Sequence, residues 1–117
     1  MITLDDIRRY ALALPEVEEA THFRLPSFKV RGKGFITVQR GNTHALLSVD
    51  QAEATALAAA DPDVYEAVWR NGNGRIFVGV RIDLAKVSSE RIRELVEHAW
   101  RNRAPKRLAA SYDEEGR

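Results

Sequence analysis

The cations of this chain fall in blocks, and those blocks are the residues that could do chemistry. Lys29, Arg31, Lys33 and Arg40 lie within residues 27–49 without one acid among them. Arg70, Arg75 and Arg81 stand alone within 70–82, and Arg101, Arg103, Lys106 and Arg107 within 100–110. Guanidinium and ammonium groups neutralise phosphates and release condensed counterions, which gives affinity for nucleic acid of any sequence. Phe35 and Phe77 interleave with the cations, and an exposed ring can stack on a base for about 1–3 kcal/mol. Lys29, Arg31, Lys33, Arg40, Arg70, Arg75, Arg81, Lys106 and Arg107 are therefore candidate phosphate contacts. Phe35 and Phe77 are the candidate stacking residues.

Net charge hides this arrangement. With 18 Lys+Arg against 17 Asp+Glu the formal charge is +1, which at face value argues against an anionic partner. By segment, the basic blocks carry +4, +3 and +4, while residues 50–69 carry −5 from Asp50, Glu53, Asp61, Asp63 and Glu66. Segregation of charge decides partners more than its sum does. The competing expectation is a solvated face whose arginines pair with that acidic segment.

Other chemistries find little support. There is no cysteine, hence no disulfide, thiolate nucleophile or cysteine zinc site. Glu94 and His98 sit at i and i+4, a spacing that suits a metal or a surface ion pair. No second Glu/His pair and no HExxH completes a metal site. No serine lies in a G-x-S-x-G setting. Glu16, Glu18 and Glu19 read as a solvated turn after Pro15. Gly32-Lys33-Gly34 could offer amides to a phosphate, but it lacks the length and the Ser/Thr of a P-loop and reads as a hairpin turn. No catalytic residue, metal or cofactor is expected.

The elements that must position the cations follow from periodicity and turn chemistry. A chain of 117 residues fits one domain. No apolar run approaches the roughly 20 residues of a membrane span, and the N-terminus lacks the order of a signal peptide, so a cytoplasmic domain without a membrane partner is expected. Thr3 caps a first helix carrying Leu4, Ile7, Ala11 and Leu14, which stops before Pro15. A short extended stretch covers 20–23, followed by strands at 27–31, 35–40 and 43–49. Asp50 and Glu53 open an alanine-rich helix to about Ala60, and Asp61-Pro62 announces a short helical turn over 64–67. A loop at 71–74 could be a wing tip or a plain connector. A strand follows at 75–82. Ser88 or Ser89 then caps a last helix to about Arg103, with Ile92, Leu95, Val96, Ala99 and Trp100 as its buried stripe.

Register assigns the faces. A three-residue loop Gly32-Lys33-Gly34 pairs Val30 with Ile36 and Phe28 with Val38, and a Gly41-Asn42 turn pairs Val38 with Ala45 and Ile36 with Leu47. The core face then holds Phe28, Val30, Ile36, Val38, Ala45, Leu47, Val49, Ile76, Val78, Val80 and Ile82. The outward face holds Lys29, Arg31, Phe35, Phe77, Arg75 and Arg81. The order αβββαβα makes one α+β domain over 1–110, with helices on one face of an antiparallel sheet, and 111–117 as a frayed polar tail.

Four stretches, in order and register, resemble the MmcQ/YjbR family. They are Leu14-Pro-Glu-Val-Glu-Glu, the run from Pro26 to Phe35, Val78-Gly-Val-Arg-Ile-Asp83, and Ala104-Pro-Lys-Arg-Leu108. The likeness covers nearly the whole chain. It implies a small CyaY-like α+β fold described as a double-wing DNA-binding motif. One departure stands out: where the family often shows Gly-Trp at the start of its last strand, this chain has Gly74-Arg75, and Trp69 precedes the loop. Charge blocks and resemblance together lead to a monomeric, non-catalytic nucleic-acid-binding protein, with DNA as the first candidate partner. The alternative is a protein-interaction or small-anion-binding module using the same face.

Overall fold

The first helix begins where its capping groups satisfy each other. Thr3 Oγ1 accepts from the Asp6 amide, and the Asp6 carboxylate accepts from the Thr3 amide. Helix α1 then spans Leu4–Leu12 and buries Ile7, Tyr10 and Ala11. The computed structural model describes residues 1–115 of the chain. Helices α2 (Gln51–Ala60) and α3 (Ser89–Arg103) start at Asp50 and Ser88, whose side chains accept from the third amide of each helix. The stripe of α3 is buried as its spacing demands, with Trp100 fully enclosed and its Nε1 donating to the Pro15 carbonyl at 3.0 Å.

Six strands form one antiparallel sheet: β1 (Val17–His22), β2 (Leu25–Val30), β3 (Lys33–Val38), β4 (His44–Leu47), β5 (Tyr65–Gly72) and β6 (Gly74–Asp83). Their spatial order is β1-β2-β3-β4-β6-β5. The core lies between the sheet and the helices, where Phe28, Ile36, Val38, Leu47, Val80 and Ile82 meet Ile7, Leu57, Leu95 and Trp100. The class, α+β with helices on one face of an antiparallel sheet, is as expected. The order αβββαβα is not, because it missed two strands and a helix.

Four local expectations are corrected. Residues 64–67 are not a helical turn: β5 begins at Tyr65, because Tyr65 and Ala67 alternate inward and pair with Ile82 and Val80 on β6. The extended stretch at 20–23 is the end of a longer strand paired along its length with β2. Residues 111–115 are not a frayed tail but the last half of helix α4 (Lys106–Glu115), held by Tyr112 against Trp100 and by Asp113 against Arg101. Residues 116 and 117 lie outside the described residues.

The fourth correction concerns register. The β2–β3 hairpin turns on two residues, Arg31 and Gly32, with φ of 48° and 80°, the signature of a I′-type turn. Lys29 then faces Gly34, and a bulge brings Phe28 opposite Ile36, leaving Phe35 as the extra residue. The apolar face is preserved by the bulge instead of by a longer loop. The predicted pairing of β3 with β4, Ile36 to Leu47 and Val38 to Ala45, holds. A second bulge at Val78 sets Trp69 opposite Phe77 and shifts everything before Val78 to the other face. Where β6 passes the end of β4, a Cβ on Gly79 would lie 2.3 Å from the Leu47 carbonyl oxygen, so only glycine fits there.

Candidate nucleic-acid interface

Antiparallel pairing sorts the turns by sheet end. The β2–β3 turn and the β5–β6 turn around Asn73 lie at one end, beside Glu16 at the start of β1. The β1–β2 turn and the single 3-10 turn Arg40–Asn42 lie at the other. Two hairpins, with β4 between them in the sheet, thus carry Arg31 and Lys33, and Arg70 and Arg75, to the same end, one rim of the sheet. The Asn102 side-chain amide donates to the Ser48 carbonyl at 2.8 Å, which brings the end of α3 toward that rim on its helix side. Helix α4, with Lys106 and Arg107, starts four residues later.

The predicted outward face is broken up by the two bulges. Lys29 lies on the open sheet face, half-buried and opposite Glu18 of β1. Arg81 shares that face, but its guanidinium is held by Glu66 on β5 and by Gln39 Oε1 at 3.1 Å. This is the one predicted pairing with the acidic segment that involves a candidate cation. Arg75 and Phe77 sit on the helix side. Phe77 packs edge-on against Trp69 at 5.2 Å, and the Arg75 guanidinium lies 4.7 Å from the Trp69 ring centre. Trp69 therefore shares the hairpin with Arg75. Phe35 is 1% exposed and cannot stack on a base. Arg40 stands at the far end of the sheet.

Electrostatics separate the free cations from the spent ones. Arg31 donates from Nε and Nη2 to both oxygens of Glu16, at 2.7 and 3.0 Å. That hydrogen bonding holds the Glu16 carboxyl below the usual carboxylate range and raises Arg31. Among the described residues, Lys29, Lys33, Arg40, Arg70, Arg75, Lys106 and Arg107 have no carboxylate within 4.0 Å. Lys33, Arg70 and Arg75 are the subset that is unpaired and also gathered at one rim.

Two features were not singled out from the sequence. Phe23 and Arg24 form the β1–β2 turn with φ of 49° and 67°, and Phe23 is 84% exposed. A left-handed backbone costs a residue with a side chain about 1–2 kcal/mol, so two in a row, one an exposed phenylalanine, stand out. Their sequence lacks the Asn-Gly or Asp-Gly signal of such turns, so the residues alone do not announce a hairpin there. The second feature is a cavity of about 380 Å³ between α1, α3 and α4, lined by Arg9, Tyr10, Leu14, Arg93, Glu97 and Tyr112. The Arg9 and Arg93 guanidiniums lie 5.3 and 5.1 Å from the Tyr10 ring centre.

The expected Glu94–His98 contact is replaced. Glu94 accepts from Arg91, and His98 Nδ1 reaches Glu53 of α2 at 2.7 Å, tying two helices together. Among the described residues no group of three or more His, Asp or Glu could hold a metal. No helix of the described residues is long and apolar enough to cross a membrane.

Comparison with known proteins places this geometry in a family. The family model described as YjbR matches residues 12–102. The crystal structure of a Deinococcus radiodurans protein with a DUF419 domain superposes with a TM-score of 0.70 at 22% identity, covering 86% of this chain and 77% of that one. At that identity the likeness speaks to fold. No curated protein matches the chain.

Proposed function

The chain belongs to the YjbR family, and we propose that within it this protein is a non-catalytic nucleic-acid-binding module, monomeric and cytoplasmic, that grips DNA with the hairpin rim of its sheet. One observation carries the reading: Lys33, Arg70 and Arg75 lie at two hairpin tips on the same end of the sheet, with β4 between the hairpins, and are free of carboxylates among the described residues. Paired hairpins projecting cations from one sheet end match the two arms a duplex backbone can accept. Asn71 and Asn73 on the β5–β6 tip add neutral donors and acceptors for phosphate or base edges. Lys29 on the open face and Lys106 and Arg107 on the helix side lie beside the rim and are not among its three duplex contacts. Arg31 and Arg81 are held in reserve by Glu16 and Glu66.

The test is duplex DNA binding by fluorescence anisotropy across a salt series. Three phosphate contacts give a log–log salt slope near −2.7. A Lys33→Ala, Arg70→Ala, Arg75→Ala triple variant should abolish measurable binding without unfolding. Absence of binding at low salt, or binding that ignores salt, sinks the reading. A second reading, a small-anion module, draws on the cavity beneath Arg9 and Arg93. It is weaker because Arg9 is already paired with Asp6 at 3.0 Å and Glu97 lines the same space. Calorimetric titration with small aromatic carboxylates distinguishes it.

A further inference from the structure

We infer that the open face of the sheet is a track for single-stranded nucleic acid, with Phe23 as the platform on which its leading base stacks. This rests on the nucleic-acid reading above and adds the strand class and the residue that selects it. All of the helices described here pack on the other face, so the open face is uncovered by any of them and presents a mixed surface that includes Leu25, Leu46, Gln39 and Lys29. A groove of about 490 Å³ runs along β2 and β3, lined among others by His22, Ser27, Lys29, Gly34, Thr37 and Ser48. His22 stands beside Phe23 at one end, and Gly34 adjoins Lys33 at the other. The groove therefore joins the exposed phenylalanine to the cationic rim, with Lys29 on the way.

The chemistry of the two ends favours a single strand. Phe23 is 84% exposed and is steadied by the His22 ring, edge-on at 4.5 Å. An exposed π-face is useful to a base that has left its stack and useless to one inside a duplex. Arg24 beside it and Arg40 on the neighbouring turn have no carboxylate within 4.0 Å among the described residues, which suits a phosphate next to the stacked base. Thr37 and Ser48, both partly exposed, offer hydroxyls, and Leu25 and Leu46 add apolar floor against which a base can lie. A groove this size admits separated bases, whereas a double helix presents its phosphates to the rim alone.

The experiment compares the parent with Phe23→Asn. Asparagine tolerates the left-handed turn, so the variant keeps the hairpin while losing the ring. Binding is read by anisotropy with an oligothymidine of about 10 nucleotides, within the usual site size for such grooves, and with a duplex of similar length. Phe23→Asn should weaken the single strand about 5- to 150-fold, the range of one lost base stack, and leave the duplex within about twofold. Lys29→Ala should act on the single strand in the same selective way. Equal losses on both ligands, or no loss on either, overturn the inference while duplex binding keeps the rim reading intact. If the parent binds neither ligand at low salt, the nucleic-acid reading itself falls and the inference with it.

Discussion

Glu16→Gln should make this protein bind DNA more tightly and more salt-sensitively, because it releases a cation that the fold keeps occupied. Glu16 sits at the entrance to β1 and accepts two hydrogen bonds from Arg31, at the turn of the first rim hairpin. Glutamine keeps the size of the side chain but offers one acceptor oxygen and no charge. Arg31 then faces the same solvent as Lys33. The parent rim presents three free cations, so the slope of log K against log salt is about −2.7 for duplex DNA, at about −0.9 per phosphate neutralised. Adding Arg31 makes it about −3.6. Between 50 and 200 mM salt the parent should then lose about 40-fold in affinity and the variant about 150-fold. The assay is anisotropy with a labelled duplex at four or more salt concentrations, with circular dichroism to show that the fold is unchanged. Equal slopes for parent and variant would refute the reasoning. They would mean that DNA does not reach the Arg31 turn, and that the rim is not the contact surface.

Three further outcomes follow from packing and ionisation. Trp100→Phe removes the donor to the Pro15 carbonyl and part of the stack on Tyr112, and should cost about 2–4 kcal/mol in urea denaturation; a loss below about 1 kcal/mol contradicts its place in the core. Gly79→Ala puts a Cβ 2.3 Å from the Leu47 carbonyl oxygen and should cost at least about 3 kcal/mol or prevent folding. Glu19 accepts from Arg8 at 2.7 and 3.0 Å, and that hydrogen bonding lowers its folded pKa below the ordinary value of 4.5. Its contribution is therefore fully present above 4.5 and is lost as pH falls through the lowered folded value. A melting-temperature series against pH should show parent and Glu19→Gln converging in acid and separating toward neutrality; parallel curves refute it.

Sequence patterns revealed elements whose cause is local. The Thr3–Asp6 capping box, the Asp50 and Ser88 caps and the stripe of α3 are all short-range and periodic, and each appears where its residues predict. The β3–β4 register was legible because only one pairing puts Ile36, Val38, Ala45 and Leu47 on one side. What escaped depends on distant partners. Tyr65 and Ala67 become strand residues because β6 lies beside them, and residues 111–115 become helix because Trp100 and Arg101 receive Tyr112 and Asp113. Phe23 and Arg24 carry no turn signal of their own; the antiparallel pairing of β1 and β2 imposes their left-handed backbone.

The two bulges explain why the candidate site moved from a face to a rim. A strand with strict alternation would have placed Arg75 and Phe77 beside Arg81, above the open face. One extra residue at Val78 turns the distal half of β6 over, so Phe77 is covered by Trp69 and Arg75 lies against that tryptophan on the helix side. One extra residue at Phe35 likewise withdraws a ring that alternation would have exposed. The bulges also strengthen local twist, which carries the hairpin ends away from the plane of the central strands. The cations left without carboxylates then stand at the two turns, Lys33 beside the first and Arg70 and Arg75 beside the second. The open face keeps a mixed groove of apolar and polar side chains with Lys29 in it, and an arginine already bound to Glu66. Charge for the phosphate backbone and room for bases thus occupy different parts of one sheet, and a ligand that uses both must lie along the strands.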